Sequence, residues 1–215
     1  MNNLSIRWIS FIMGIAINSF GIAFITKGAL GTSQISSIPY IMSLRFPTIT
    51  FGMFTFIFNM FFIFLQIALL KKNFKPFQFL QIGVNIIFSF LIDISMWLLT
   101  FLQPEIFITR VICMLIGCMI LAFGISLEVA AKIIYVPGEG VVQAIAKVKK
   151  MKFGTVKIYF DVLLICIASI LSFIFFGRLN GIGIGTIFSA ISIGKFVNII
   201  SRRSKFVRRI KILSR

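Results

Sequence analysis

IMGIAINSFGI at residues 12–22 and LIGCMILAFGI at residues 115–125 are two copies of one pattern. Two further stretches repeat in the same order: FGMFTFIFN (51–59) returns as FGTVKIYFD (153–161), and GVNIIFS (83–89) returns as GIGTIFS (183–189). The offsets are 103, 102 and 100 residues, so the chain consists of two halves of about one hundred residues with one plan. Internal duplication in an apolar chain is typical of many transporters.

The composition is that of a membrane protein. Hydrophobic residues make up 59% of the 215-residue chain and charged residues only 13%, against roughly 45–50% apolar residues in soluble domains. Six windows reach the roughly 20 apolar residues that a helix needs to cross a bilayer, at about 8–26, 50–70, 77–102, 107–128, 156–176 and 182–200. They lack the alternation of β-barrel strands. We therefore predict an all-α polytopic membrane protein.

The positive charge of the chain predicts its orientation in the membrane. The net charge is +17. With both termini inside, 18 of the 22 Lys and Arg residues fall in cytoplasmic segments, and the other four are Lys27, Arg45, Arg110 and Arg178. This asymmetry follows the positive-inside rule. The basicity thus predicts cytoplasmic amino and carboxyl termini, and no nucleic-acid partner.

The two halves are predicted to have opposite orientations. Residues 1–103 form the first repeat, residues 104–200 the second, and residues 201–215 a basic tail. Each repeat contains three of the six predicted spans. Because three is an odd number, the second repeat enters the membrane from the opposite side and is inverted, which predicts a pseudo-twofold axis in the membrane plane. In the tail, cations alternate with apolar residues, a pattern that predicts a short helix on anionic lipids of the inner leaflet. These apolar residues are Phe206, Val207, Ile210, Ile212 and Leu213.

Each half carries a short interrupted segment, and such a pair is the best sequence indicator of a transporter binding site. The first half has a glycine-containing break at 28–34, and the second half has a proline- and glycine-containing break at 135–140. Each break leads into an apolar stretch that is too short to span a bilayer. The N-termini of such half-helices suit an anionic group. Two interpretations stay open, re-entrant helices near the midplane or connecting helices on the membrane surface. The candidate binding residues in the breaks are Gly31, Thr32, Gln34, Pro137, Gly138, Glu139 and Gly140.

Ionisable residues within apolar segments are costly and often functional. Asp93 is the acid that lies deepest in a predicted span, which makes it the strongest candidate for proton coupling. Lys157 and Asp161 share one helix face at i,i+4 spacing and form either a structural ion pair or a substrate contact. Asn59 is the counterpart of Asp161 in the first half.

Local spacing also suggests a second ion pair and a packing motif. Glu128 and Lys132 are four residues apart and are predicted to pair. Small residues at four-residue intervals predict close helix packing; they are Gly181, Gly185 and Ser189. The P-loop lysine that a phosphate-binding glycine motif requires is missing there.

The sequence predicts no catalytic residues, no metal site and no cofactor. It contains no histidine, which is the commonest metal ligand. Its three cysteines fall inside predicted spans without metal or disulfide spacing. We therefore expect no enzyme activity.

Three features of the second half belong together: Pro137-Gly138-Glu139-Gly140-Val141, Lys157 and Asp161 one turn apart, and GIGIGTIFSAISIG at 181–194. With them the chain resembles the YczE/YyaS/YitT family of bacterial membrane proteins over nearly its whole length, and the specific motifs are concentrated in residues 134–196. Leu30-Gly31 is similar to the Leu-Gly motif of the family's first half, although Ser33-Gln34-Ile35 stands where the family often has Pro and a Trp-Asp pair. The resemblance implies a bacterial plasma-membrane protein with about six spans and supplies no molecular activity.

The most economical functional hypothesis is a small secondary transporter for a small, anionic solute. Its site would lie where the two breaks approach each other, in a monomer or in one protomer of a homodimer. One alternative is a non-transporting accessory or scaffold protein that acts through its basic cytoplasmic surface. Another is a substrate-binding component that serves a separate ATPase.

Overall fold

The computed structural model describes residues 3–213, and within that range the chain forms α-helices and two short 3-10 turns but no strand. Six of the helices are long and apolar enough to cross a membrane. The all-α fold class and the six predicted spans are therefore confirmed. The helices are α1 (Asn3–Lys27), α2 (Gln34–Arg45), α3 (Phe51–Leu70), α4 (Leu80–Leu98), α5 (Phe107–Ala131), α6 (Pro137–Lys149), α7 (Phe153–Phe176), α8 (Ile184–Arg203) and α9 (Lys205–Leu213).

Short local signals set the ends of these helices. The hydroxyl of Thr50 accepts the backbone N–H of Met53 at 3.1 Å and so caps the start of α3. Pro137 occupies the first position of α6, where its missing N–H costs nothing. Gly177 ends α7 with φ +65°, the left-handed conformation in which helices commonly stop.

The central contact of the fold is a close antiparallel crossing of α1 and α5. A Cβ on Gly21 would lie 2.6 Å from the backbone nitrogen of Leu121, and one on Gly124 would lie 2.6 Å from that of Asn18. Glycines at such positions let two backbones approach each other, as in packed membrane helices. The repeated pattern at 12–22 and 115–125 therefore contains the residues that join the two halves.

The contacts of this crossing occur in pairs, and the 103-residue offset relates the two members of each pair. Gly14 lies against Glu128, and Gly117 lies against Ile25. Gly117 is the counterpart of Gly14 in the second half, and Glu128 is the counterpart of Ile25. The Gly21–Leu121 contact is related in the same way to the Gly124–Asn18 contact described above. The inverted arrangement of the halves remains a prediction, and these reciprocal contacts are what it requires.

The buried apolar residues form two clusters, and each contains helices from both halves. One cluster joins α1, α4 and the start of α3 at Phe51 to α5, α8 and α9, and includes Phe11 and Leu127. The other joins α2 and α3 to α6 and α7. In the second cluster the rings of Phe62 and Phe160 lie 5.4 Å apart between centroids. The first turns of α2 and α6 are thus mostly buried between longer helices, whereas their last residues, including Arg45 and Lys149, are exposed.

The predicted tail helix is present as α9, and it is docked on the protein. Val207 and Ile210 are only 1% and 2% exposed and pack into the cluster around α1 and α5. Phe206 and Ile212 remain exposed. Residues 214 and 215 of the predicted tail, like residues 1 and 2 of the predicted first repeat, lie outside the described range. The predicted contact of the tail with anionic lipids stays a prediction.

Candidate functional site

The first break folds onto the start of α8. Gly185 donates its backbone N–H to the carbonyl of Leu30 at 3.0 Å. The backbone N–H of Thr32 donates to Oγ1 of Thr186 at 3.2 Å. Gly31 has φ +128° and lies directly against Thr186, so any side chain there would meet both a clash and backbone strain. The break is therefore fixed by the other half of the chain.

A buried polar cluster surrounds this junction. The amide of Gln34 donates to the carbonyl of Thr186 at 3.0 Å and to the hydroxyl of Ser189 at 2.9 Å. The hydroxyls of Thr26 and Thr32 lie 2.7 Å apart. Since no described buried side-chain nitrogen or oxygen lacks a partner, the cluster holds α2, the end of α1 and α8 in one arrangement.

The three predicted packing residues all lie near this junction. Gly185 packs against Leu30 and Ser189 bonds to Gln34, as close packing requires. Gly181 differs from the prediction because it precedes α8, in a turn where its φ is +77°. A Cβ on Gly181 would lie 3.1 Å from the ring of Tyr40 in α2.

The second break is held by two glutamines from the first half. Nε2 of Gln66, in α3, donates to the carbonyl of Pro137 at 3.1 Å. The side chains of Gln66 and Gln81 also exchange hydrogen bonds of 3.0 and 3.1 Å. Gly140 allows this approach, because a Cβ there would lie 2.6 Å from the Gln66 amide oxygen. The sequence analysis missed both glutamines. Their only signal was a polar side chain near the end of one apolar span, Gln66 in α3, and another at the start of the next span, Gln81 in α4.

The first turns of α2 and α6 meet in the interior of the protein. A Cβ on Gly138 would lie 3.0 Å from Cδ1 and 3.2 Å from Cγ2 of Ile35. Further along the same helices, Ile38 and Ile41 share a buried cluster with Val141. The two breaks therefore approach each other at the Gly138–Ile35 contact, which joins the first turns of two helices from different halves.

An acid-rich group lies next to this meeting point. Nζ of Lys157 lies 2.6 Å from Oδ1 of Asp161, which confirms their predicted pairing. Glu139, in the first turn of α6, is half-buried and interacts electrostatically with both of them. Burial raises the pKa of Glu139, Lys157 opposes this and Asp161 adds to it, and the net direction is upward. A carboxyl group in this environment can hold a proton that an exposed carboxyl would release.

Glu128 belongs to the same region, and the structure contradicts its predicted pairing with Lys132. It is 4% exposed, and its Oε1 accepts a 2.8 Å hydrogen bond from Nδ2 of Asn18 on α1. Among the described residues the only salt bridge is Lys157–Asp161. Helix α5 ends at Ala131, so the Lys132 side chain leaves the helix face on which Glu128 lies.

The two other predicted site residues lie within the first half. Asn59 is buried and donates to Oδ1 of Asn85 at 2.8 Å, joining α3 to α4. Asp93 accepts a 2.7 Å hydrogen bond from the backbone N–H of Gly52 and a 2.6 Å bond from the hydroxyl of Thr50. Asp93 therefore caps the start of α3 from the neighbouring helix.

Six helices that are long and apolar enough to cross a membrane define an integral membrane protein with several spans. Within that class, residues 5–202 match DUF6198, a family of unknown function, and the chain belongs to this family. No curated protein and no solved structure gives a significant match. The family match does not bear on the YczE/YyaS/YitT resemblance, which stays a resemblance.

Proposed function

We propose that this protein is a small secondary transporter whose solute site lies where the first turns of α2 and α6 meet. The observation that carries the proposal is the contact between Gly138 and Ile35. Two interrupted helices from two related halves, with their N-termini side by side, are the arrangement in which many secondary transporters bind their substrates. The N-terminus of a helix in general presents backbone N–H groups and a partial positive charge, which suit an anion.

The solute class that fits this site is a small anion. The two helix N-termini favour negative charge near α6. The Lys157 ammonium is paired with Asp161 at 2.6 Å and offsets that carboxylate. Glu139 occupies the same first turn and competes with an anion when it is ionised. Transport would not alter the solute chemically, since the proposal assigns no catalytic role to any residue.

Glu139 would couple the transport of this anion to protons. When Glu139 binds a proton, the competing negative charge disappears and the N-terminus of α6 becomes available to the solute. When Glu139 releases the proton, the carboxylate and the solute repel each other. Anion and proton would therefore bind together and move in the same direction.

We also propose that the halves form an inverted repeat in a bacterial plasma membrane, with both termini cytoplasmic. The reciprocal contacts of Gly14 with Glu128 and of Gly117 with Ile25 support the repeat. The 18-to-4 distribution of cations supports the orientation. A distant relationship to YczE/YyaS/YitT proteins is supported by the 137–141 turn and by Lys157 and Asp161 on one face of α7.

A thermal-unfolding screen against a library of small organic and inorganic anions tests the proposal. The full-length protein would be purified in a neutral detergent and assayed at pH 5.5 and pH 8. An anion present at 100 times its dissociation constant should stabilise the folded state by about 2.7 kcal/mol. We expect hits that stabilise the protein more at the lower pH, because the proposed site binds a proton with the anion.

Two variants decide whether a hit binds at this site. Glu139→Gln removes the titrating group and should abolish the pH dependence of binding. Glu105→Gln is the matched control, because it removes an exposed carboxyl in the loop between α4 and α5. A hit whose pH dependence survives Glu139→Gln contradicts the coupling role. The absence of hits, together with a stable partner in a native pull-down, would favour the accessory or ATPase-coupled alternatives.

A further inference from the structure

The C-terminal helix α9 is held in a fixed position at the end of α8. Its Val207 and Ile210 side chains are buried against α1 and α5. The connection from α8 is a single residue, Ser204, which donates its N–H to the carbonyl of Ile200 at 2.8 Å and accepts the N–H of Val207 at 3.4 Å. The polar side of α9 therefore faces a defined part of α8.

A basic cleft lies between the two helices. It has a volume of about 380 Å³ and is lined by Ser201 and Arg202 of α8 and by Arg208, Lys211 and Ile212 of α9. No acidic residue lines it, and the sequence contains none after Asp161. The side chains of Arg202 and Arg208 make no hydrogen bond or ion pair with any described residue.

Docking of α9 brings the guanidinium groups of Arg202 and Arg208 to the wall of one volume, where they repel each other. An anion in the cleft would relieve this repulsion. Guanidinium groups match the oxygens of a phosphate with two parallel hydrogen bonds, which makes arginine the preferred residue for phosphate recognition. The Ser201 hydroxyl adds a neutral donor at the wall of the cleft.

We infer that the α8–α9 cleft is a binding site for a phosphate-bearing anion, with Arg202 and Arg208 as its main ligands. The site is separate from the α2–α6 junction and does not depend on the transport proposal. Two sources share the required chemistry, the headgroup of an anionic phospholipid and a free phosphate in solution. Phe206 and Ile212 are 51% and 60% exposed beside the cationic residues, as a site next to lipid chains would require.

Titrations of thermal stability test this inference and distinguish the two sources. The full-length protein in neutral detergent would be titrated with inorganic phosphate at constant ionic strength. In a second series it would be titrated with phosphatidylglycerol in mixed micelles, with phosphatidylcholine as the zwitterionic reference. We expect a saturable rise in the unfolding midpoint. Saturation by inorganic phosphate identifies a free anion, and saturation by phosphatidylglycerol alone identifies a headgroup; both results support the site.

Matched variants separate a defined site from diffuse attraction. Arg202→Gln with Arg208→Gln should raise the half-saturating concentration at least tenfold. The control, Lys72→Gln with Lys75→Gln, removes the same charge from two exposed residues between α3 and α4 and should change it less than twofold. Replacement of both arginines by lysine keeps the charge but removes the paired N–H groups that donate two parallel hydrogen bonds, and it should weaken binding several-fold. Equal losses in the glutamine variants, or no saturable rise with either anion, would overturn the inference.

Discussion

Asn18 and Glu128 join the two halves of the protein through one buried hydrogen bond. Nδ2 of Asn18 on α1 donates to Oε1 of Glu128 on α5 at 2.8 Å, and both residues are at least 95% buried. The 103-residue offset relates them to apolar counterparts, because Leu121 corresponds to Asn18 and Ile25 to Glu128. The bond is thus a polar contact that only one side of the pseudo-symmetric crossing has, and it is expected to contribute specificity to that crossing.

Removal of Asn18 alone should destabilise the protein. Asn18→Leu leaves the buried carboxyl of Glu128 without its donor, which should cost about 1–3 kcal/mol. The double variant Asn18→Leu/Glu128→Ile copies the apolar pair of the other side and should recover most of that loss, since replacing both partners can be nearly neutral. Thermal unfolding of the two single variants and the double variant measures the coupling. Additive losses would show that the bond contributes nothing.

The α1–α5 crossing should tolerate no added methyl group at its glycines. Gly21→Ala would place a Cβ 2.6 Å from the backbone of Leu121, so the helices must separate. Such overpacking costs about 1–3 kcal/mol. Gly83→Ala in α4 is the matched control, because nothing lies within 4 Å of its Cβ position, and a helix gains up to about 1 kcal/mol from this change. Unfolding midpoints should therefore move in opposite directions, and a shift in the same direction would refute the close crossing.

The helices could be predicted from the sequence because their signals are local or periodic. Six apolar windows predicted the six long helices, and the glycine- and proline-containing breaks predicted a short helix near each of them. Helix α6 begins earlier than the apolar pattern indicated, at Pro137 inside the second break. The partners of individual polar groups could not be predicted in this way. Glu128 shows why. Its predicted partner Lys132 follows the end of α5 with φ +48°, outside the helical spacing on which the prediction depended. The carbonyls of Ala131 and Lys132 there accept hydrogen bonds of 2.9 and 2.8 Å from Arg7 of α1, a residue distant in the sequence.

The two breaks show the same limit. Their positions were evident from spacing, whereas the residues that hold them lie far away in the chain, as in the Gln34–Ser189 bond across 155 positions. Gln66 and Pro137 are likewise joined across 71 positions. Such contacts depend on how the long helices pack, and a single sequence contains no direct signal for them.

Asp93 should prove to be a structural residue and not a coupling residue. It accepts hydrogen bonds from Thr50 and from the backbone of Gly52 at the start of α3. Loss of a helix cap costs about 0.5–2 kcal/mol, so Asp93→Ala should lower the unfolding midpoint. Asp93→Asn keeps an acceptor and should lower it less. Anion binding measured on the folded Asp93→Asn variant should keep its pH dependence, and a loss of that dependence would return Asp93 to the list of coupling candidates.

The stability of the protein should depend on pH through Glu139. Burial raises the pKa of this carboxyl above its ordinary value of 4.5, so the folded protein keeps a proton that the unfolded chain releases above that pH. Because the folded state then binds more protons than the unfolded state, the free energy of unfolding decreases as the pH rises from about 4.5 toward the raised pKa. Glu139→Gln should flatten this decline and make the protein relatively more stable at the upper end of the range. Unfolding midpoints of the wild type, Glu139→Gln and the exposed-carboxyl control Glu105→Gln between pH 4.5 and 9 measure the effect. Equal slopes in all three proteins would mean that Glu139 is ionised in the folded state and cannot carry the proton that the proposed transport requires.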